Sequence, residues 1–166
     1  VFKNPTKLLN LMKIKTSRFG RIEINEKDII TFSEGLIGFE LMKRFTIMES
    51  KPGSPFKWLQ SLDDGELAFI IIDPRVFMRG YAPCFLRSDL DTLQLSAPQD
   101  AVMYVTVVVP QDPKKMSANL LGPLVINPAN ARGKQVVLSE SKYTTSHYIV
   151  EEMSKTYGGE NVSTVS

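Results

Sequence analysis

Apolar and polar positions alternate along this chain in short runs, and turn residues interrupt the runs about every ten positions. In MKIKTSRFGRIEI, residues 12–24, Ile14, Ile22 and Ile24 share one face and charged side chains take the other, on either side of Arg18-Phe19-Gly20. Successive side chains of a strand point to opposite faces, so this pattern predicts a hairpin. DIITF, EGLIGFE and RFTIMES follow as short segments rich in β-branched and aromatic residues, with Gly35 and Gly38 expected in turns or bulges. After Pro52-Gly53, FKWLQSL and LAFIIID predict a second hairpin across Asp63-Asp64-Gly65-Glu66, with Gly65 expected at positive φ. The run from Leu67 to Ile72 is apolar on both parities, which predicts a strand covered on both sides and stopped by Pro74.

One stretch reads as helix. Between Pro83 and Pro98, Leu86, Leu90, Leu93 and Leu95 form a roughly helical apolar stripe, with Ser88 placed to cap it and Asp91 at capping-box spacing. AVMYVTVVVP is the strongest predicted strand, and two more strands flank PANARG, where Pro128, Asn130 and Gly133 are the residues a tight turn uses. From Thr144 the chain turns polar, with a helical turn or two expected around Ile149, Met153 and Tyr157 and then a flexible Gly/Ser/Asn tail. Many short strands with one confident helix predict an all-β fold: a small single-domain antiparallel β-barrel with one short helix. The expected limits are an N-terminal extension at 1–11, the barrel at 12–147 and a C-terminal tail at 148–166.

Composition supports one folded domain. The chain has 166 residues, 43% hydrophobic and 23% charged, which is ordinary globular material. No apolar run approaches the roughly 18 residues of a membrane-spanning helix, and the opening residues lack the unbroken apolar core of a secretory signal, so a cytoplasmic location is expected. Charge is unevenly placed: residues 1–27 carry a net +5, residues 28–112 a net −5 and residues 113–166 a net +2. The acidic middle disfavours binding to phosphate backbones and suits a basic partner.

Candidate chemistry is sparse. Cys84 is the only cysteine and is expected as a small packing residue; His147 is the only histidine and is expected to be solvated and unpartnered. One His and one Cys do not make a zinc site without two carboxylates, and no nucleophile–base constellation surrounds His147, so no catalytic residue, metal or cofactor is expected. Asp63, Asp64 and Glu66 fit a solvated turn better than a metal loop, since they lack EF-hand ligand spacing, and contact with a partner stays open to them. Lys13, Lys15, Arg18 and Arg21 interleaved with Phe19 read as a solvated strand face; a single-stranded nucleic acid stacked on such a barrel is the alternative. Phe56 and Trp58 are equally consistent with core and with an interface anchor.

The segments MKIKTSRFGRIEI (12–24), IITFSEGLIGFE (29–40), RFTIMES (44–50), SPFKWLQSLDDGELAFIIIDP (54–74) and SANLLGPLVINPANARGKQVVL (117–138) together resemble the flagellar assembly factor FliW family. The likeness runs from about Met12 to His147, its motifs stand in the family's order, and none of them is catalytic. It implies a minimal β-barrel without enzymatic activity that binds newly made flagellin and the RNA-binding translational regulator CsrA. Release of flagellin by secretion would free the factor to capture the regulator and relieve repression of flagellin translation. Partner contact is then expected from Glu34, Glu40, Asp63, Asp64 and Glu66 as charge and from Phe39 and Trp58 as anchoring area, with Asn119 ordering its loop. For each the plainer role is turn, core or cap. Ser33 stands where the family favours proline, and GYAPCFLR is less acidic than its usual counterpart; both departures concern local loop shape.

Overall fold

A computed structural model of the chain describes residues 10–139 and 142–158. The predicted N-terminal extension through residue 9 and the polar tail from residue 159 lie outside the described residues. The strands are β1 Leu11–Thr16, β2 Gly20–Asn25, β3 Ile30–Phe32, β4 Arg44–Glu49, β5 Phe56–Ser61, β6 Ala68–Ile72, β7 Val102–Val108, β8 Ser117–Ala118, β9 Leu124–Asn127, β10 Arg132–Gln135 and β11 His147–Tyr148. Helix α1 is Arg87–Thr92, and α2 is Ile149–Tyr157, in the segment where a helical turn or two was expected.

Seven strands close into a barrel in the order β7-β6-β5-β4-β3-β10-β9 and back to β7. Strand direction cannot alternate all the way round a ring with an odd number of members, so one junction has to be parallel. That junction is β3 with β10; the other six are antiparallel. Strand β7 can close the ring and also leave it, because Val102 to Tyr104 pair with β9 while Val107 and Val108 pair with β8, which carries β11 on its far side.

Alternation along the strands divides the apolar residues into two cores. Phe32, Phe45, Leu59, Ile71, Leu124 and Ile126 fill the barrel, with Phe32 and Phe45 edge to face at 5.5 Å. On the outer face, Ile72, Val105, Val107 and Val125 are covered by Phe77, Tyr81, Leu90, Leu93, Tyr143 and Ile149. The Leu67 to Ile72 run serves both, with Phe69 and Ile71 inward and Ile70 and Ile72 outward. Each fully buried aromatic or large aliphatic side chain stabilises the fold by roughly 1.5–3 kcal/mol. The β1–β2 hairpin forms its own sheet and packs Ile22 and Ile24 on Leu62, with Met12, Ile14, Phe19 and Met48 around them.

Several local expectations are corrected by packing. Gly65 is not at positive φ. It is glycine because a Cβ there would stand 2.1 Å from the Lys15 carbonyl oxygen, where Ser17 N–H donates to the Gly65 carbonyl. Gly133 lies inside β10 rather than in the turn, under Phe32, whose ring a Cβ would meet at 2.6 Å; the left-handed turn residue is Ala131. Helix α1 begins after Leu86, and the Asp89 carboxylate, not Ser88, accepts from the helix entry at Leu86 N–H; Leu86 itself is exposed. Cys84 is exposed, because in the extended chain before α1 it alternates with Pro83 and Phe85, and Phe85 takes the inward position. His147 is partnered: its Nε2 accepts from Thr144 N–H at 2.9 Å and its Nδ1 stands 3.4 Å from Glu152, leaving the side chain 16% exposed.

Candidate functional site

The loop from Ser33 to Lys43 between β3 and β4 carries three of the residues singled out from sequence: Glu34, Phe39 and Glu40. EGLIGFE does not form a strand there. It folds into a run of three turns, with Gly35 N–H donating to Phe32 O, Phe39 N–H to Leu36 O and Met42 N–H to Phe39 O. Gly35 and Gly38 both have positive φ, which glycine adopts without a Cβ penalty. At Gly35 there is no room for another residue, since a Cβ would lie 2.6 Å from the Glu40 backbone.

This tight loop turns apolar side chains toward solvent. Leu36 is buried, but Leu41 is 85% exposed, and Ile37 and Phe39 are exposed as well. Phe39 lies edge-on to Phe69 at 5.1 Å, which fixes its ring while leaving one side open. Gln135 fastens the loop from the far end of the chain: its Oε1 accepts from Ile37 N–H at 2.9 Å, and its Nε2 donates to Gly122 O at 3.1 Å. Asn119 orders the facing loop, with Oδ1 accepting from both Leu121 and Gly122 N–H. Between the two loops lies a groove of about 280 Å³ lined by Leu36, Ile37, Phe69, Asn119, Leu121 and Val137 among others. Val137 is exposed at its edge.

The loop's carboxylates flank the apolar patch. Glu40 accepts from Gly38 N–H at 2.9 Å, and this backbone bond, with its own backbone N–H and nearby Lys43, holds its carboxyl below the usual range despite slight desolvation. Glu34 lies 3.9 Å from the Lys134 ammonium, which binds Asp89 more closely at 3.0 Å. Both glutamates are surface carboxylates beside exposed aliphatics, an arrangement that can hold a partner's apolar side chain and an adjacent basic one. Among the described residues no group of three or more His, Cys, Asp or Glu could hold a metal ion.

The remaining sequence candidates lie elsewhere in other roles. Asp63 turns inward: Oδ2 accepts from Lys43 and Arg44 N–H, both at 2.8 Å, and Oδ1 binds the Arg44 guanidinium at 2.8 Å. Burial pushes its carboxyl up, but those bonds and the Arg44 charge outweigh burial and leave it below the usual value. Asp64 accepts from Glu66 N–H within the turn, and Glu66 is exposed. Trp58 is half-buried, with the Arg18 guanidinium 3.9 Å over its ring and Phe19 edge-on at 6.2 Å. Arg18 and Phe19 of the first hairpin therefore both contact Trp58 of β5. Sequence reasoning missed Ile37, Leu41, Val137 and the clamp residue Gln135. The available signal for the first two was a pair of glycines three apart holding aliphatics in a turn, where polar residues are usual.

The family model described as "FliW protein" matches residues 13–149. The chain is 41% identical over 147 residues to the flagellar assembly factor FliW of Thermoanaerobacter pseudethanolicus, covering 88% of this chain and 98% of that one. It is 45% identical over 137 residues to the protein of the same name from Natranaerobius thermophilus, covering 82% and 91%. A solved structure, the crystal structure of the flagellar assembly factor FliW, superposes with a TM-score of 0.77 at 36% identity, covering 83% of this chain and 96% of the other.

Proposed function

From the premise that this chain belongs to the FliW family of flagellar assembly factors, we propose that it acts in the cytoplasm as a non-enzymatic partner switch. Newly made flagellin occupies the β3–β4 face while it awaits secretion. When flagellin leaves, the same factor captures the translational regulator CsrA and lifts repression of flagellin synthesis. The observation that carries the reading is the tightly turned loop that exposes Ile37 and Phe39 between Glu34 and Glu40, and Leu41 just after them.

Physical chemistry favours such a surface. A loop already held in its binding shape loses little conformational entropy on association, so its apolar contacts convert efficiently into affinity. The acidic flanks steer a basic protein toward it and make association weaken with salt. Neither step requires bond chemistry. Titration calorimetry against purified flagellin and purified CsrA tests the reading: each should bind stoichiometrically, and saturating flagellin should displace CsrA. Absence of heat with both proteins, or simultaneous binding of the two, would sink it.

A further inference from the structure

A second concavity shares no residue with the groove beside the β3–β4 loop. It opens at one mouth of the barrel, has a volume of about 640 Å³, and lies between the barrel and the β1–β2 hairpin. Its floor is aliphatic: Ile30, Ile47 and Ile126 come from the barrel interior, Val102 from the start of β7, and Met48 and Ile24 from the lip where the hairpin packs. Among the described residues no aromatic side chain lines this end, and Val102 is exposed. The mouths of β-barrels are among the places where ligands recur, and this volume falls in the usual range of roughly 300–1,000 Å³.

The rim has a sign. Glu23 of β2, Asp28 of the turn after it and Glu49 of β4 line the cleft, against the single cation Lys27. Glu23 and Glu49 each have a lysine partner, Lys13 and Lys57, but Glu23–Lys13 is exposed at both ends and Glu49 is itself exposed, so water screens these pairs and a better partner can replace them. Asp28 has no ion pair among the described residues, and its carbonyl, accepting from Thr46 Oγ1 at 3.0 Å, keeps the turn in place.

We infer that this barrel mouth is a second binding site, whose occupant is a peptide segment of a partner protein in which aliphatic side chains alternate with lysine or arginine. The aliphatic side chains fill the Ile30, Ile47 and Ile126 floor, and the cations reach the carboxylates on the three surrounding elements. Charge complementarity selects this occupant: a neutral apolar peptide leaves the acidic rim unanswered, and an acidic one is repelled by it. The site is separate from the β3–β4 face, so it holds or fails independently of the partner switch.

The test uses the full chain with methyl-labelled isoleucine and methionine, followed by nuclear magnetic resonance. Three peptides are titrated: acetyl-Lys-Ile-Lys-Val-Lys amide, its glutamine analogue and its glutamate analogue. The basic peptide should give saturable shifts at the methyls of Ile24, Ile30, Ile47, Ile126 and Met48. The glutamine peptide should bind about tenfold more weakly, as the loss of partly solvated ion pairs predicts, and the glutamate peptide not at all. V102K places a cation on the floor and should weaken the basic peptide by about tenfold or more, with Ile71 methyl shifts reporting an intact barrel. L41D should leave its affinity unchanged. Equal binding of all three peptides, shifts centred on Ile37, or no shift at the cleft methyls with the basic peptide would each overturn the site.

Discussion

Two acidic, glycine-bearing turns meet at Asp63 and use their residues in opposite directions. In the β5–β6 turn the chemistry faces inward: Asp63 ties down the backbone of Lys43 and Arg44, Asp64 closes its own turn on Glu66, and Gly65 makes room for the hairpin's main chain. In the β3–β4 loop the backbone is tied by its own turns and by Glu40 and Gln135, and the side chains of Ile37, Phe39 and Leu41 are left on the surface. The first turn holds the second in place. A carboxylate's role thus follows from which backbone donors lie within its reach, and acidic composition alone does not decide between scaffold and contact surface.

The largest effect should come from removing the loop's tightest approach. G35A adds a Cβ against the Glu40 backbone at a positive φ and should cost roughly 2–3 kcal/mol in urea unfolding, with loss of partner binding. Gly38, which also has positive φ but has no atom near its Cβ position, should cost only about 1 kcal/mol as G38A. Equal costs would show that the loop's shape does not depend on the Gly35 contact. Next comes L41D, which should weaken flagellin binding in calorimetry by about ten- to a hundredfold while changing stability by less than about 0.5 kcal/mol. A stability loss as large as that of G35A would make Leu41 part of the scaffold.

Asp63 gives a pH test of the opposite behaviour. D63A orphans two backbone donors and should cost about 1–2 kcal/mol at neutral pH. Because the folded-state pKa of Asp63 is depressed, its contribution is fully present above the unfolded value of about 3.9 and is lost as pH falls through the lower folded value. Acid titration should therefore show the wild type converging on D63N between about pH 5 and the folded value. Parallel curves would remove the ionised Asp63–Arg44 link from the account. The smallest effect belongs to E66Q, for which stability should stay within about 0.5 kcal/mol and affinity for both partners should be unchanged. Weakened binding in this variant would move the contact surface into the β5–β6 turn.

What was readable in advance depended on range. The hairpins 12–24 and 56–72 rest on alternation within one short window, and they form where expected. The two-sided burial of the Leu67 to Ile72 run was likewise legible from its parity. Features set by partners far along the chain were not. Gly133 reads as a turn residue until Phe32, about a hundred positions earlier, is known to lie over it. Asp63 reads as a free turn carboxylate until Arg44 reaches it, and the exposed Ile37 reads as part of a short β-like segment until Gln135 holds its loop. The helix start was misplaced by two residues: the N-cap is Leu86 and not Ser88, and it is the Asp89 carboxylate, three positions on, that accepts from its N–H.

The hydrogen bond from Ile37 to Gln135 joins residues 98 positions apart, and the parallel pairing of β3 with β10 joins Thr31 to Arg132 and Phe32 to Gly133, a similar gap. During synthesis the first hairpins can form as they emerge, and Asp63 and Phe69 can then hold one side of the β3–β4 loop, but its Gln135 clamp is missing until the chain beyond residue 135 is available. Binding competence is therefore among the last properties a growing chain acquires. A ribosome holding an unfinished copy does not compete with finished copies for partner, and the cellular count of active factor is a count of completed barrels.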